Sequence, residues 1–199
     1  MSVKTPIEKV IKPNKKQQLL DSALTLFVNQ GIDATSTASI AKHAGVANGT
    51  LFHHFASKEV LVLALYKSIK QDFSLQIKPF QLDKKKLKEQ AKKIWNQTID
   101  WAIINADKQQ FCLQVSQYPQ LSSQVKTQVL TEEFGYLPLL IQFGQQHGIF
   151  ANYPLALMVD NAHGQFISST MYLTNNPELV TDTKHREAMF EMFWKAFCL

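Results

Sequence analysis

The sequence predicts an all-α protein of about nine helices. Apolar residues recur at three- and four-residue steps along nearly the whole chain, and no segment shows the period-two alternation of a strand between hairpin turns. Only seven Gly and seven Pro interrupt the pattern in 199 residues, and 45% of the chain is hydrophobic, enough to bury a helical core as one large or two small domains. No run of about eighteen apolar residues occurs, and the lysine-rich start has no apolar segment behind it, so the expectation is a cytoplasmic protein with no spanning helix and no secretory leader. Cys112 and Cys198 stand far apart without metal-ligand spacing and are expected as buried, reduced thiols; no metal and no cofactor is implied.

Residues 1–13 are polar, basic and punctuated by Pro6 and Pro13, which reads as a flexible arm. Asn14 can cap a helix through Lys15 to Gln30 with Leu20, Ala23, Leu24 and Phe27 on its buried face and Gly31 as its stop. Thr35, Ser36 and Thr37 then supply hydroxyls at the start of a second helix. Thr37, Ile40, Ala41 and Ala44 follow at i, i+3, i+4, i+7 until Gly45, which permits the left-handed backbone of a tight corner, and Val46 can plug the wedge behind it. A third short helix turns Leu51 and Phe55 inward and leaves Asn48, Thr50, His53 and Lys58 outward. Two short helices across such a turn form a helix-turn-helix, whose second helix has the diameter to enter the DNA major groove. Ser57 can cap a fourth helix from Lys58 to about Lys78, ended by Pro79; its apolar start packs the helix-turn-helix and its remainder leads into a second domain. The expected domains are therefore the arm at 1–13, a DNA-binding domain at 14–60 and a larger helical domain at 61–199.

Beyond Asp83 a long amphipathic segment from Lys84 to about Ala106 carries Leu87, Ala91, Ile94, Trp95, Thr98, Ile99 and Ala102 along one side. A shorter helix from Asp107 to Tyr118 stops at Pro119. The next runs from Ser122 or Ser123 to about His147, with Pro138 expected to kink or divide it. Pro154 opens a helix to about Asn175, and after Pro177 a last helix is clearest from Lys184 to Phe197. Charge is unevenly spread along this order. Residues 1–70 hold nine Lys against four acids while the remainder balances, so the whole excess of +5 lies on the part expected to meet phosphates.

Leu24–Phe27, Gly31, Thr37–Val46, Gly49-Thr50-Leu51-Phe52, His54-Phe55 and Lys58-Glu59, at these fixed offsets, resemble the TetR family of bacterial transcriptional regulators over about residues 15–65. The resemblance implies that Asn48, Gly49, Thr50 and His53 contact base edges and that Thr37, Lys42 and Lys58 hold phosphates. An Asn amide can bond adenine bidentately, and a Thr methyl suits thymine. Three departures stand out. Phe52 occupies the place of a tyrosine whose hydroxyl meets a phosphate, Ala47 that of a serine that caps the reading helix, and the chain's only arginine, Arg186, is remote in sequence from the reader.

The resemblance further implies a homodimer through the last two helices, at Met158, Ala162, Ser169, Leu173, Met189, Phe190, Phe193 and Phe197. It also implies an effector pocket walled by Trp95, Thr98, Trp101, Phe111, Tyr136, Phe143, His163 and Phe166, with Asn96, Gln97, Asn161 and Gln165 as further polar candidates. The expected partners are a double-stranded DNA operator, a second copy of the chain and a small-molecule effector, without a membrane. The function so implied is sequence-specific regulation, with repression the usual sign and release by a small, largely apolar effector. A ligand-independent DNA-binding interaction or architectural protein of the same fold is the alternative. Catalysis is not expected: His53 and His54 are neighbours that point about 100° apart on a helix, and no nucleophile with an acid–base partner accompanies them.

Overall fold

The computed structural model describes residues 14–77, 81–133 and 135–199, with backbone alone at 130–133. The expected arm and the expected stop at Pro79 fall outside them. Among the described residues the chain forms ten α-helices: α1 (Lys15–Gln30), α2 (Thr37–His43), α3 (Asn48–His54), α4 (Lys58–Gln76), α5 (Leu87–Ile104), α6 (Ala106–Gln117), α7 (Ser123–Glu133), α8 (Tyr136–Gln146), α9 (Leu155–Asn175) and α10 (Thr183–Lys195). Short 3₁₀ turns at Lys84–Lys86 and Pro177–Leu179 precede α5 and α10. Two compact units divide within α4, between Leu65 and Tyr66.

The first unit is built from caps and corners. The Asn14 side chain accepts from the Lys16 N–H at 3.0 Å, Ser36 Oγ from Ser39 at 3.1 Å, and Ser57 Oγ from Val60 at 3.3 Å, so three of its four helices start on a side-chain acceptor that offsets an orphan donor. Gly31 and Gly45 hold φ at 86° and 66°, where a Cβ would be strained, and these two turns set the direction of α2 and then α3. Leu19, Ala23, Phe27, Ile40, Leu51 and Leu61 converge as its fully buried core. α3 begins at Ala47 with no side-chain cap.

In the second unit α10 is strapped along α5. Lys88 pairs with Glu191 at 2.6 Å, Lys92 pairs with Glu187, and Arg186 pairs with Asp100 at 2.7 Å. The same guanidinium donates to the carbonyls of Asn96 and Val180, both at 3.3 Å, using the fork geometry that a lysine lacks. Beneath the strap the Trp95 and Phe193 rings stack 4.6 Å apart. The segment that the sequence suggested as one helix to His147 is α7 and α8, which raises nine helices to ten. Pro138 is the third residue of α8, where its missing N–H has no intrahelical partner to lose, and its ring bars the helix from continuing back through the carbonyl four residues earlier. A Cβ at Gly144 would come within 2.1 Å of Phe150, so glycine there lets the buried Phe150 ring lie against α8. Phe150 in turn meets Trp194 at 5.0 Å, and the Ala151 N–H donates to the Phe197 carbonyl at 2.9 Å, fastening the C-terminal residues.

Ala47→Ser supplies α3 with the acceptor it lacks. It should raise the unfolding free energy by about 0.5–1 kcal/mol, read from the urea midpoint at unchanged slope.

Candidate nucleic-acid interface and ligand cavity

α3 is only seven residues long, and its two faces are sharply sorted. Leu51 and the residue closing the helix, Phe55, are buried to 0% and 2% exposure, whereas Asn48, Gly49 and His53 are exposed and Thr50 is half-buried at the rim. The exposed positions therefore offer an amide and a bare backbone in the first turn and an imidazole near the end of the helix, groups suited to base edges. Phe52, 47% exposed, adds an apolar ring at the same surface. Beside it runs a shallow groove whose rim includes Ser36 and Thr37 from the start of α2, Phe52, Ser57 and Lys58. The Lys58 ammonium donates to the Asp33 carbonyl at 3.0 Å, which anchors the cation at the groove beside two hydroxyl residues and the free N–H groups of a helix start. Lys42 is exposed near the end of α2. Thr35 is a scaffold residue: buried, it donates its hydroxyl to the Gly31 carbonyl at 2.7 Å and closes the corner between α1 and α2.

A cavity of about 90 Å³ lies in the second unit among α4, α5, α6, α8, α9 and α10. Its aromatic walls are Phe73, Trp95, Trp101, Tyr136, Phe166 and Phe193. Phe73 meets Trp101 edge-on at 4.7 Å and Phe166 at 6.4 Å, so the rings brace one another around the space. Polar groups are few. Thr98 spends its hydroxyl on the Trp95 carbonyl at 2.7 Å, the Gln109 amide donates to Thr170 at 3.3 Å, and His163, Tyr136 and Lys70 are the other polar residues of the described lining. Burial drives His163 down to about 4, helped by the nearby Lys70 charge, so the imidazole is neutral at pH 7. Burial likewise pushes the Tyr136 phenol well above its ordinary value.

Of the residues suggested for the pocket, Trp95, Thr98, Trp101, Tyr136, His163 and Phe166 meet at this cavity. Two do not. Phe111 is fully buried core of α6, and the Phe143 ring stacks on His147 at 4.0 Å. Among the further polar candidates, Asn161 and Gln165 bond each other at 2.8 Å outside the lining, and Asn96 and Gln97 lie outside it as well. Lys70 was missed, although Tyr66, Ile69, Lys70 and Phe73 follow the i, i+3, i+4, i+7 spacing of an apolar helix face, and a lysine on such a stripe is the signal to look for.

On α9 and α10 the stripe suggested as a dimer surface turns inward. Met158, Ala162, Leu173, Phe190, Phe193 and Phe197 are all at most 6% exposed within a single chain, and Ala162 and Phe193 line the cavity. An aromatic stripe at helical spacing is satisfied by its own core before any partner arrives. Ser169 and Met189 instead border a surface groove with Ser168, Tyr172, Ala188 and Met192. Leu157, Tyr172 and Met192 expose 60%, 44% and 71% of their surface along these two helices. No described helix is long and apolar enough to cross a membrane.

The family model described as bacterial regulatory proteins, tetR family, matches residues 19–65. A solved tetR family transcription regulator from Shewanella sp. PV-4 is 41% identical, and the alignment covers 94% of this chain and 99% of that one with a TM-score of 0.88. The HTH-type transcriptional repressor KstR2 of Rhodococcus jostii is 41% identical over 61 residues, which span 31% of this chain and 30% of KstR2, so the likeness to that repressor covers less than a third of its length. FadR from Bacillus subtilis, solved in complex with stearoyl-CoA, shares the fold at 20% identity and a TM-score of 0.68 over 89% of this chain and 96% of that one.

A histidine kept neutral by burial makes the folded chain bind fewer protons than the unfolded one between its two titration points. Stability should therefore fall as the pH drops from 6.5 toward 4, by up to about 3 kcal/mol from this group. His163→Gln should flatten that part of the pH–stability curve, measured by urea unfolding at pH 7, 6, 5 and 4.

Proposed function

The chain belongs to the TetR family of bacterial transcriptional regulators, and from that premise we propose that it is a homodimeric repressor whose α3 reads an operator and whose cavity takes the releasing effector. The observation that carries the reading is the sorting of α3, with Leu51 and Phe55 buried while Asn48, Gly49 and His53 face out. Asn48, Thr50 and His53 read base edges beside the backbone of Gly49. Thr37, Lys42 and Lys58 hold phosphates on either side. With no arginine in the reader, guanine selection by a bidentate fork is absent, and base choice rests on amide, methyl and imidazole groups together with DNA shape.

One seven-residue helix spans too few base pairs to select a site, which is why a two-fold pair of readers is needed. The exposed faces of α9 and α10, with Leu157, Tyr172 and Met192, meet their copies in the second subunit. Each reader then enters the major groove about one helical turn, roughly 34–36 Å, from its mate or somewhat farther.

The cavity favours a ligand-responsive repressor over a ligand-independent architectural protein. Its 90 Å³ is less than the roughly 150 Å³ cavity that accepts benzene, so an effector must press its walls apart. That requirement is the source of switching: a ligand shifts an equilibrium only by its differential affinity for two arrangements, commonly about 1–3 kcal/mol. α4 is the element through which the shift passes, since it starts at the phosphate-holding Lys58 and carries Lys70 and Phe73 in the cavity wall.

Asn48→Ala should relax base choice at one position of each half-site, by about 1–3 kcal/mol of discrimination. Lys58→Ala should weaken all duplexes alike and reduce the slope of log affinity against log salt by about one. Fluorescence anisotropy with operator and scrambled duplexes separates the two, and the opposite assignment would mean that α3 presents its other face. Met192→Glu should shift the dimer to monomers in light scattering and weaken operator binding by about a hundredfold or more, as expected when one half-site must act alone. A fully dimeric variant would move the interface elsewhere.

A further inference from the structure

Among the described residues the polar members of the cavity lining are Lys70, Thr98, Gln109, Tyr136 and His163, and no carboxylate joins them. The first four already have partners. Thr98 donates to the Trp95 carbonyl and Gln109 to Thr170. The Lys70 ammonium donates to the Cys112 sulfur and lies 5.3 Å from the centre of the Tyr66 ring, and Tyr136 is engaged as well. His163 differs. Neither of its ring nitrogens forms a hydrogen bond among the described residues; its neighbours are the Phe166 ring, 6.4 Å away and tilted by only 25°, and the Lys70 charge. Burial in that setting keeps the imidazole uncharged at pH 7. An uncharged imidazole has one N–H and one lone pair, and a buried polar group without a partner forfeits a hydrogen bond that a ligand can restore.

We infer that the cavity takes an uncharged, largely apolar molecule bearing a hydroxyl group, the hydroxyl bonding the His163 ring while the apolar body lies against Phe73, Trp95, Trp101 and Phe166. The inference rests on reading the cavity as the effector site and adds the group that the effector must carry. A hydroxyl both donates and accepts, so it satisfies the imidazole in either tautomer, whereas a carbonyl can meet only the ring N–H. A carboxylate would give up its hydration for an aromatic wall whose lysine already has partners, and an ammonium would meet the Lys70 charge. A hydrocarbon fits the walls and leaves the imidazole unmatched.

Benzyl alcohol, ethylbenzene and benzoate share a phenyl body and differ at its end. Each is titrated into the full-length wild-type protein and into His163→Phe and His163→Gln variants, with tryptophan fluorescence as the readout because Trp95 and Trp101 form the wall. Ethylbenzene is the reference, since its transfer from water is favourable without any hydrogen bond. His163→Phe should weaken benzyl alcohol about three- to tenfold, the net worth of one hydrogen bond, and leave ethylbenzene bound as tightly or more tightly. His163→Gln, which keeps a donor and an acceptor, should retain the alcohol's affinity. Benzoate should bind the wild type at least about tenfold more weakly than the alcohol, as desolvation of an unmatched charge requires. An alcohol affinity untouched by His163→Phe, an equal loss of alcohol and hydrocarbon, or benzoate binding tighter than the alcohol overturns the hydroxyl assignment and leaves the cavity as a ligand site. Failure of all three probes to bind the wild type overturns the cavity reading together with this inference.

Discussion

Burial of Leu51 and Phe55 is the constraint on which the reading surface depends. An isolated helix of fewer than about twelve residues is marginal in water, so the seven residues of α3 are held as a helix by the core that takes their inner face. The core in turn needs α2 and α3 at a fixed angle, which the positive φ of Gly45 permits, with the Val46 N–H donating to the Ala41 carbonyl at 3.0 Å across the turn. What remains outside follows: with Leu51 and Phe55 fixed inward, His53 falls on the opposite side of the helix, and Asn48 and Gly49 are exposed in its first turn. Specificity groups and fold-stabilising groups alternate along one short segment, and neither set can be moved without the other.

The second unit has a different economy. Its core is aromatic and braced by ring-to-ring contacts, and rings of fixed shape leave a gap that flexible aliphatic chains would close. Arg186 and the two lysine–glutamate pairs join α10 to α5 on the outside of that unit. Ala162 and Phe193 belong to both the α9–α10 pair and the cavity wall. A ligand that displaces them presses on the same helices whose other faces are open to a partner.

The first unit was almost fully legible in the sequence because its rules are local. Asn14, Ser36 and Ser57 cap where hydroxyl and amide residues precede an apolar run, and Gly31 and Gly45 stop helices for the reason glycine does so generally. The second unit was legible in its periods and less so in its faces. A stripe of Phe190, Phe193 and Phe197 says that something covers it, and periodicity cannot tell its own core from a second chain. For the same reason Phe111, an aromatic in the right stretch of chain, proved to be plain core, while Lys70 joined the cavity from a helix that had been read as a connector. The division between α7 and α8 was foreshadowed by Pro138, but the break falls ahead of it, since proline tolerates the first turn of a helix and forbids what lies before.

The central claim is that cavity and reading surface are coupled through one equilibrium, and coupling of that kind is reciprocal. The direct measurement is a full linkage cycle on the wild-type protein with its best-bound operator duplex and a small aromatic ligand chosen because it quenches the fluorescence of the cavity tryptophans Trp95 and Trp101, determining the duplex affinity with and without ligand and the ligand affinity with and without duplex. The account predicts that each partner weakens the other by the same factor, about five- to a hundredfold. Ligand binding that leaves the duplex affinity unchanged would contradict it.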